Sequence, residues 1–590
     1  MKYTFTIYLF FFYLFFLFFS LILWDYIYIG LLNDEDFFKF FFFILTSFFL
    51  IYFSLRRYKL IELKVFDLLH LDSQKKKQKN YINFIYLILL SFLLFAFFSF
   101  DLKNLISLDI YHNGFQLVPA MNFSLSNKLW SVSFTESGFF ANYMSLIFFY
   151  FKKKITIGSL LFIQYSVVFL NKIILVSLAA LVTKELNFSN RLKIIFFLFF
   201  SLVLLNLTKS SYFPSKQFIH LLFILLIYFN LNPATKLSFV ISSFLLGAIT
   251  FLSLFWWTDI FIFNFLLLIF YLFFLFIRKE VSKIAYIFAG FLLSFLTVIF
   301  YFPNIEISPF LENLYYIILK ANKYTSIEYP SPLFGKDTRA TKTLIFFFYS
   351  LFLFIFFILK KKSYLSNNLK KFLIFLYLSS LVNFAYGLGR SDSPHIIRAS
   401  GLLMINFIFY NLYFLFLFFK QINFLKNKII YNGFILLFLS LFIININTMN
   451  QKTFINIFDF KKNLSNFFSL SDDAFLLEKN RHYTKLIKYY DLLLAKDECV
   501  QVLTDETIIP YIVKRKTCTR FFFYHTLLDE KIQRQFINEL KIIKPRFILY
   551  KSDLFSPFNF FNRLKLVDEY INTNYEFYEK FDYWTFYKIK

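Results

Sequence analysis

Long apolar stretches separated by short polar joints dominate the chain. Runs at about 7–31, 38–55 and 82–100 open it. Others follow at about 138–151, 156–170, 172–183, 192–206, 217–231, 237–254, 260–277, 284–301, 343–360, 372–388, 396–419 and 428–446. A helix of about 20 apolar residues crosses a bilayer core. The pattern therefore predicts an all-α polytopic membrane core over 1–446, with about 13–15 transmembrane segments. After 447 the texture changes. A helical pattern over 472–495 follows a Ser471-Asp472-Asp473 cap, and Cys499–Thr504 reads as a strand. A short helix over 506–516, an amphipathic helix over 529–543, a strand at Arg546–Tyr550, a helix at about 564–573 and a terminal strand Tyr583–Tyr587 complete a small α/β soluble domain, 447–590.

Two joints inside the apolar core are less regular. The stretch 156–183 is either two short helices broken at Asn171-Lys172, or one helix with a neighbouring segment re-entrant. Either version implies an internal cavity, because broken or re-entrant helices need cover from protein or a water-lined space. The joint 303–342 is longer than a turn. Pro303, Pro309, Pro330 and Pro332 interrupt it, and 310–320 has amphipathic helical spacing suited to a surface.

Composition and charge add orientation. The chain is 59% hydrophobic with mean hydropathy +0.60, and its 99 Phe and 40 Tyr reflect a bias along the whole length. A formal charge of +27 would suggest nucleic acid in a soluble protein. Here the lysines bunch between apolar runs, so no nucleic-acid partner is expected; membrane lipids are. The basic stretch 56–80 places the N-terminus inside and 33–37 outside. Loops 101–137, 206–217, 255–259, 303–342 and 386–398, and the C-terminal domain, then fall outside. Lys152-Lys153-Lys154, Lys184 with Arg191 and Lys193, and Arg278-Lys279 with Lys283 fall inside if 156–183 is a broken pair. The first apolar run lacks a small-residue cleavage site and reads as a retained span. Asp259 reads as a site residue or a helix cap, with the cap favoured. Cys499 and Cys518 are either bridged or free.

Two outer joints carry candidate chemistry. Between runs 372–388 and 396–419 lies Tyr386-Gly387-Leu388-Gly389-Arg390-Ser391-Asp392-Ser393-Pro394-His395-Ile396-Ile397-Arg398. Ser393 suits an N-cap and Pro394 the first helical position. His395 and Arg398, three apart, share a helix face. Free N–H groups at that helix end attract anions, so Arg390, His395 and Arg398 form a candidate phosphate site beside Asp392. The bland alternative is a loop with interfacial charges and an Arg398–Asp392 pair. In loop 101–137, Asp109 and His112 stand three apart before an Asn113-Gly114 turn. They can deprotonate a hydroxyl, bind a divalent ion such as Mg or Mn, or form a structural pair. One Asp and one His fall short of a metal signature.

These motifs resemble those of GT-C type multi-spanning membrane glycosyltransferases, relatives of the dolichyl- and undecaprenyl-phosphate-sugar-dependent mannosyl- and arabinosyltransferases. Asp109, His112 and Gly114 match an Asp-x-x-His-x-Gly outer loop, and Arg390, Ser391, Asp392 and His395 match an Arg-Ser-Asp-x-x-His element. Asp505-Glu506, the Arg515–Arg520 stretch and Lys544-Pro545-Arg546-Phe547-Ile548 are similar to the soluble domain that often follows such cores. Phe115-Gln116 stands where the resemblance implies a further acidic residue. Asp34, Glu35 and Asp36 rival Asp109, since several such enzymes place the catalytic aspartate in the first outer loop.

The resemblance implies transfer of a sugar from a polyprenyl-phosphate donor to a lipid-linked or cell-surface glycan acceptor, at the outer face of a bacterial cytoplasmic membrane. Asp109, His112 and Asp392 would be catalytic. Arg390, His395 and Arg398 would hold phosphate, in a monomer. A glycan polymerase or ligase, or a transporter of lipid-linked or small polar substrates, is the alternative.

Overall fold

In a computed structural model of the chain, the described residues are 109–135, 138–147, 154–209, 213–301, 306–324, 339–359, 365–389, 393–421, 471–473, 476, 481–553 and 564–590. Among them, Ile157–Lys184, Lys236–Trp256, Thr258–Ile277, Val281–Phe300, Asn367–Leu388 and His395–Tyr413 are long and apolar enough to cross a membrane. The described residues are mostly helical, with these apolar helices and one small sheet.

The bundle comprises α1 (His112–Ser126), α2 (Phe139–Tyr143), α3 (Ile157–Lys184), α4 (Asn190–Lys209), α5 (Phe218–Leu231), α6 (Lys236–Trp256), α7 (Thr258–Ile277), α8 (Val281–Tyr301), α9 (Ile307–Tyr324), α10 (Arg339–Leu359), α11 (Asn367–Gly389) and α12 (Ser393–Gln421). Local chemistry sets several starts. Thr156 and Ser159 form a capping box at α3, as do Thr235 and Ser238 at α6. Close backbone approach joins α6 to α8, since a β-carbon on Gly247 would overlap the Ile287 carbonyl and one on Gly290 the Phe244 carbonyl. Outward faces of α7 and α8 present Phe273, Phe276, Phe288 and Phe300, as a lipid-facing surface requires.

The bundle has two chemically distinct ends. At one, Leu186 bridges Leu365, Ser366 Oγ donates to Glu185 Oε2 (2.6 Å) and Lys193 Nζ to the Lys184 carbonyl (2.8 Å). Glu280 there pairs with Arg278 and Lys283, both at 2.7 Å. The other end gathers α1, α2, the 213–217 connector, the α6–α7 turn, α9 and the C-terminal region. Among the described residues, the joints at 184–193 and 278–283 thus share one end, and those at 213–217 and 255–259 the other.

One open alternative is decided and two expectations are corrected. α3 is one continuous 28-residue helix. Asn171 does not break it, because its Nδ2 donates instead to the Phe213 and Pro214 carbonyls of the neighbouring connector (3.1 and 2.8 Å). Lys154 and Lys184 therefore lie at opposite ends of α3, and Lys154 does not join the inner lysines. The run 138–151 begins with a five-residue helix folded over α1, where Asn142 Nδ2 donates to the Phe115 carbonyl (3.1 Å) and Ser145 Oγ to that of Gln116 (3.3 Å). Asn113-Gly114 is not a turn: both residues lie in the first turn of α1.

The C-terminal region contains α13 (Arg481–Leu493), β1 (Gln501–Val502), α14 (Ile509–Ile512), α15 (Glu530–Ile543), β2 (Phe547–Ser552), α16 (Lys565–Asn574), β3 (Tyr575–Phe581) and β4 (Trp584–Ile589). The sheet order is β1-β2-β4-β3, with β1 parallel to β2 and the other pairs antiparallel. Strand β3 was not foreseen. It is an edge strand exposed at most positions, so its sequence lacks the alternation of a half-buried strand. Cys499 and Cys518 are disulfide-bonded.

This region shares a core with the membrane-end elements. Leu117, Val118, Met121 and Leu160 pack in one cluster with Tyr483, Val500, Ile508, Phe523 and Trp584.

Candidate functional site

Asp109 and His112 meet at the start of α1. The Asp109 Oδ1 atom accepts from the backbone N–H groups of Tyr111 (3.2 Å) and His112 (2.9 Å), closing the open helix end. Its Oδ2 lies 2.7 Å from His112 Nδ1, and both side chains are more than half exposed. Partial burial opposes ionisation of Asp109. The His112 hydrogen bond and charge, with the two backbone donors, outweigh it and hold the carboxyl below its ordinary value of 3.8. An ionised carboxylate only accepts, so Nδ1 carries the proton and Nε2 is the basic nitrogen. Asn113 Oδ1 accepts from the Asp109 N–H (2.9 Å) and fixes the residue from behind.

The C-terminal region packs against Tyr111, between the two residues of the dyad. Thr507 Oγ1 donates to the Tyr111 carbonyl (2.5 Å), and the Tyr111 ring sits edge-on to His112 (5.0 Å) and Phe523 (5.4 Å). Next along, Tyr524 OH donates to Asp505 Oδ1 (2.5 Å). Burial, then the Asp505 charge, pushes the Tyr524 phenol well above its usual range. Glu506 points the other way. It is buried and accepts from Tyr483 OH (3.0 Å) and Trp584 Nε1 (3.0 and 3.1 Å). Burial raises its carboxyl pKa against these bonds, as befits a structural anchor.

The second candidate group sits on α12, which begins at Ser393. His395 and Arg398 are both half-buried in its first two turns. Gly387 brings α11 close here: a β-carbon on it would lie 2.5 Å from the Ala399 β-carbon. Gly387 therefore serves helix packing. Gln217 Nε2 donates to the Arg398 carbonyl at 3.5 Å, and its neighbour Lys216 pairs with Asp259. The Lys216 ammonium also lies 5.1 Å from the Tyr386 ring and 5.7 Å from that of Trp257. Asp259 lies in the first turn of α7, where its Oδ1 accepts from the Ile260 N–H (2.9 Å).

Helix α3 connects the two groups. Gln164 Nε2 donates to Gln116 Oε1 (2.5 Å) behind the dyad, and Asn171, two turns on, holds the connector leading to Gln217. Arg390, Asp392, Asp34, Glu35 and Asp36 lie outside the described residues. Among the described residues, no three His, Cys, Asp or Glu side chains converge to hold a metal ion. Asp109 and His112 offer two ligands already bonded to each other, which is a poor fit to a divalent ion.

Sequence reasoning did not single out the Lys216–Asp259–Tyr386 cluster or His220, buried on α5. A histidine inside the apolar run 217–231 was the available signal. No family model, curated protein or solved structure matches this chain.

Proposed function

We propose that the protein is a membrane glycosyltransferase of the GT-C type. It would move a sugar from a polyprenyl-phosphate donor to the hydroxyl of a lipid-linked or cell-surface glycan at the outer face of a bacterial cytoplasmic membrane. The observation that carries the reading is the exposed Asp109–His112 pair at the bundle end that also holds His395 and Arg398. The Cys499–Cys518 disulfide at that end suits an oxidising compartment.

The geometry favours His112 over Asp109 as the base. Asp109 Oδ2 holds Nδ1–H, so Nε2 accepts the acceptor hydroxyl's proton while Asp109 steadies the resulting imidazolium. The acceptor oxygen bonds to the anomeric carbon as the bond from that carbon to the phosphate oxygen breaks, and the polyprenyl phosphate leaves with the electron pair. Arg398 and His395, with Arg390, would meet the developing phosphate charge. Asp392 would orient Arg390 or Arg398, and no step requires a metal.

The test is consumption of a radiolabelled polyprenyl-phosphate sugar by membranes containing the inserted protein. His112→Gln should lower turnover about 100-fold or more, and Asp109→Asn and Arg398→Ala at least about tenfold. Full turnover by inserted His112→Gln would reject the role of the dyad.

A further inference from the structure

Within the apolar bundle, helices α5, α7 and α11 enclose a polar cluster that the transferase reading does not use. His220 of α5 is fully buried. Its Nδ1 lies 2.7 Å from Asn264 Oδ1 on α7, and its Nε2 lies 2.7 Å from Ser379 Oγ on α11. An amide oxygen only accepts, so Nδ1 carries the proton; Nε2 then accepts from the Ser379 hydroxyl. This leaves Asn264 Nδ2, a donor, with no partner among the described residues.

A complementary atom lies nearby. Asn383 is one turn beyond Ser379 on α11, on the same face, and its Oδ1 is a buried acceptor without a partner among the described residues. The level is fixed by Tyr386, three residues further on, whose ring meets that of Phe263 at 5.3 Å. Phe263 immediately precedes Asn264, so Asn264 and Asn383 lie at a similar depth on neighbouring helices. Both side chains are at least nine-tenths buried, at 0% and 2% exposure. An orphan donor and an orphan acceptor away from water are each costly. One O–H group between them satisfies both, because a hydroxyl accepts and donates at once.

We propose that His220, Asn264, Ser379 and Asn383 form an intramembrane binding site for a single hydroxyl, supplied by water or by a small polyol or sugar. The hydroxyl accepts from Asn264 Nδ2–H and donates to Asn383 Oδ1. His220 is a positioning residue that orients the Asn264 amide. The nearest charged residues are Lys216 and Asp259, since Asp259 lies in the first turn of α7 just over one turn before Asn264 and Lys216 precedes His220 by about one turn. The site does not depend on the transferase reading.

Two measurements on the full-length protein in lipid nanodiscs test this. The first is a density map at a resolution that shows buried waters, recorded without additive and with glycerol. A feature within about 3 Å of both Asn264 Nδ2 and Asn383 Oδ1 is expected. A compact feature in both samples identifies water, and one that lengthens with glycerol identifies a polyol site. Absence of any feature, or a direct Asn264–Asn383 hydrogen bond, overturns the proposal. The second is a thermal double-mutant cycle with Asn264→Leu and Asn383→Leu. A shared ligand makes the double variant lose no more than the worse single variant, whereas additive losses overturn the proposal. Should a variant fail to insert, the wild-type density decides.

Discussion

Gly114 lies so close to Thr507 that a β-carbon on it would overlap both the Thr507 hydroxyl and the Ile508 backbone nitrogen. These residues are nearly four hundred positions apart, yet Thr507 Oγ1 donates to the carbonyls of Ile110 (3.2 Å) and Tyr111 (2.5 Å), directly behind the dyad. Glycine is needed here for close approach and not for its backbone freedom, since it sits in an ordinary helical turn. The C-terminal region is in this way built into the candidate site.

Replacing Gly114 by Val should therefore push the C-terminal region off α1 while leaving the membrane helices inserted. Overpacking at a rigid backbone contact costs about 1–3 kcal/mol or more. The expected outcome is faster proteolytic cleavage between 471 and 590 and loss of transferase turnover, checked by limited proteolysis and the labelled-donor assay on the same membranes.

A second close approach predicts a stability defect far from the site. Gly247→Ala and Gly290→Ala each place a β-carbon on a facing carbonyl, so α6 and α8 must separate. A loss of about 1–3 kcal/mol is expected for each, read as a lower unfolding temperature in detergent. The pair should be strongly non-additive, because one separation relieves both clashes.

Reduction of Cys499–Cys518 should loosen the segment that clamps α1. Thr517, beside Cys518, exchanges hydrogen bonds with Asn122, and the Arg520 carbonyl accepts from the Phe134 N–H (2.7 Å). The bond closes a loop of 19 residues, worth about 3 kcal/mol in the chain-entropy view. Dithiothreitol, or Cys499→Ser with Cys518→Ser, should lower the unfolding temperature and expose 514–520 to protease. Unchanged protection after complete reduction would count against the clamp.

Asp568 sets a pH dependence. Burial raises its carboxyl from 3.8 to about 6 in the folded protein. The folded state thus holds the proton more tightly than the unfolded state, so stability falls as pH rises from about 4 through about 6 and is fully lower above that window. Asp568→Asn removes the buried charge. It should raise the unfolding temperature at pH 7.5, have little effect at pH 4, and flatten the profile between, as a thermal melt series would record.

Much of the fold was legible because bilayer-length apolar runs and interrupting lysines are local properties. The runs 237–254, 260–277, 284–301, 372–388 and 396–419 appear as helices close to those limits. The amphipathic 310–320 pattern appears as α9, tied to the C-terminal region by Arg520 and Glu312 at 3.3 Å. The run 138–151 misled because apolarity alone does not distinguish a span from a segment that covers α1. Asn171 left a break in α3 open because its carbonyl partners at Phe213 and Pro214 are remote in sequence.

The candidate site divides in the same way. By itself the sequence determined that Asp109 and His112 are close enough to pair, because three-residue spacing at a helix start brings side chains together whatever surrounds them. It determined likewise that His395 and Arg398 share the opening turns of an apolar helix. Only the tertiary structure decided that Asp109 is committed to His112 Nδ1 and to two backbone donors, which leaves His112 Nε2 as the base. It alone brought Thr507 and Phe523 to Tyr111, between the members of that dyad, and joined His220, Asn264 and Ser379 from three helices. Those relationships depend on packing between distant segments, and no local period or motif encodes it.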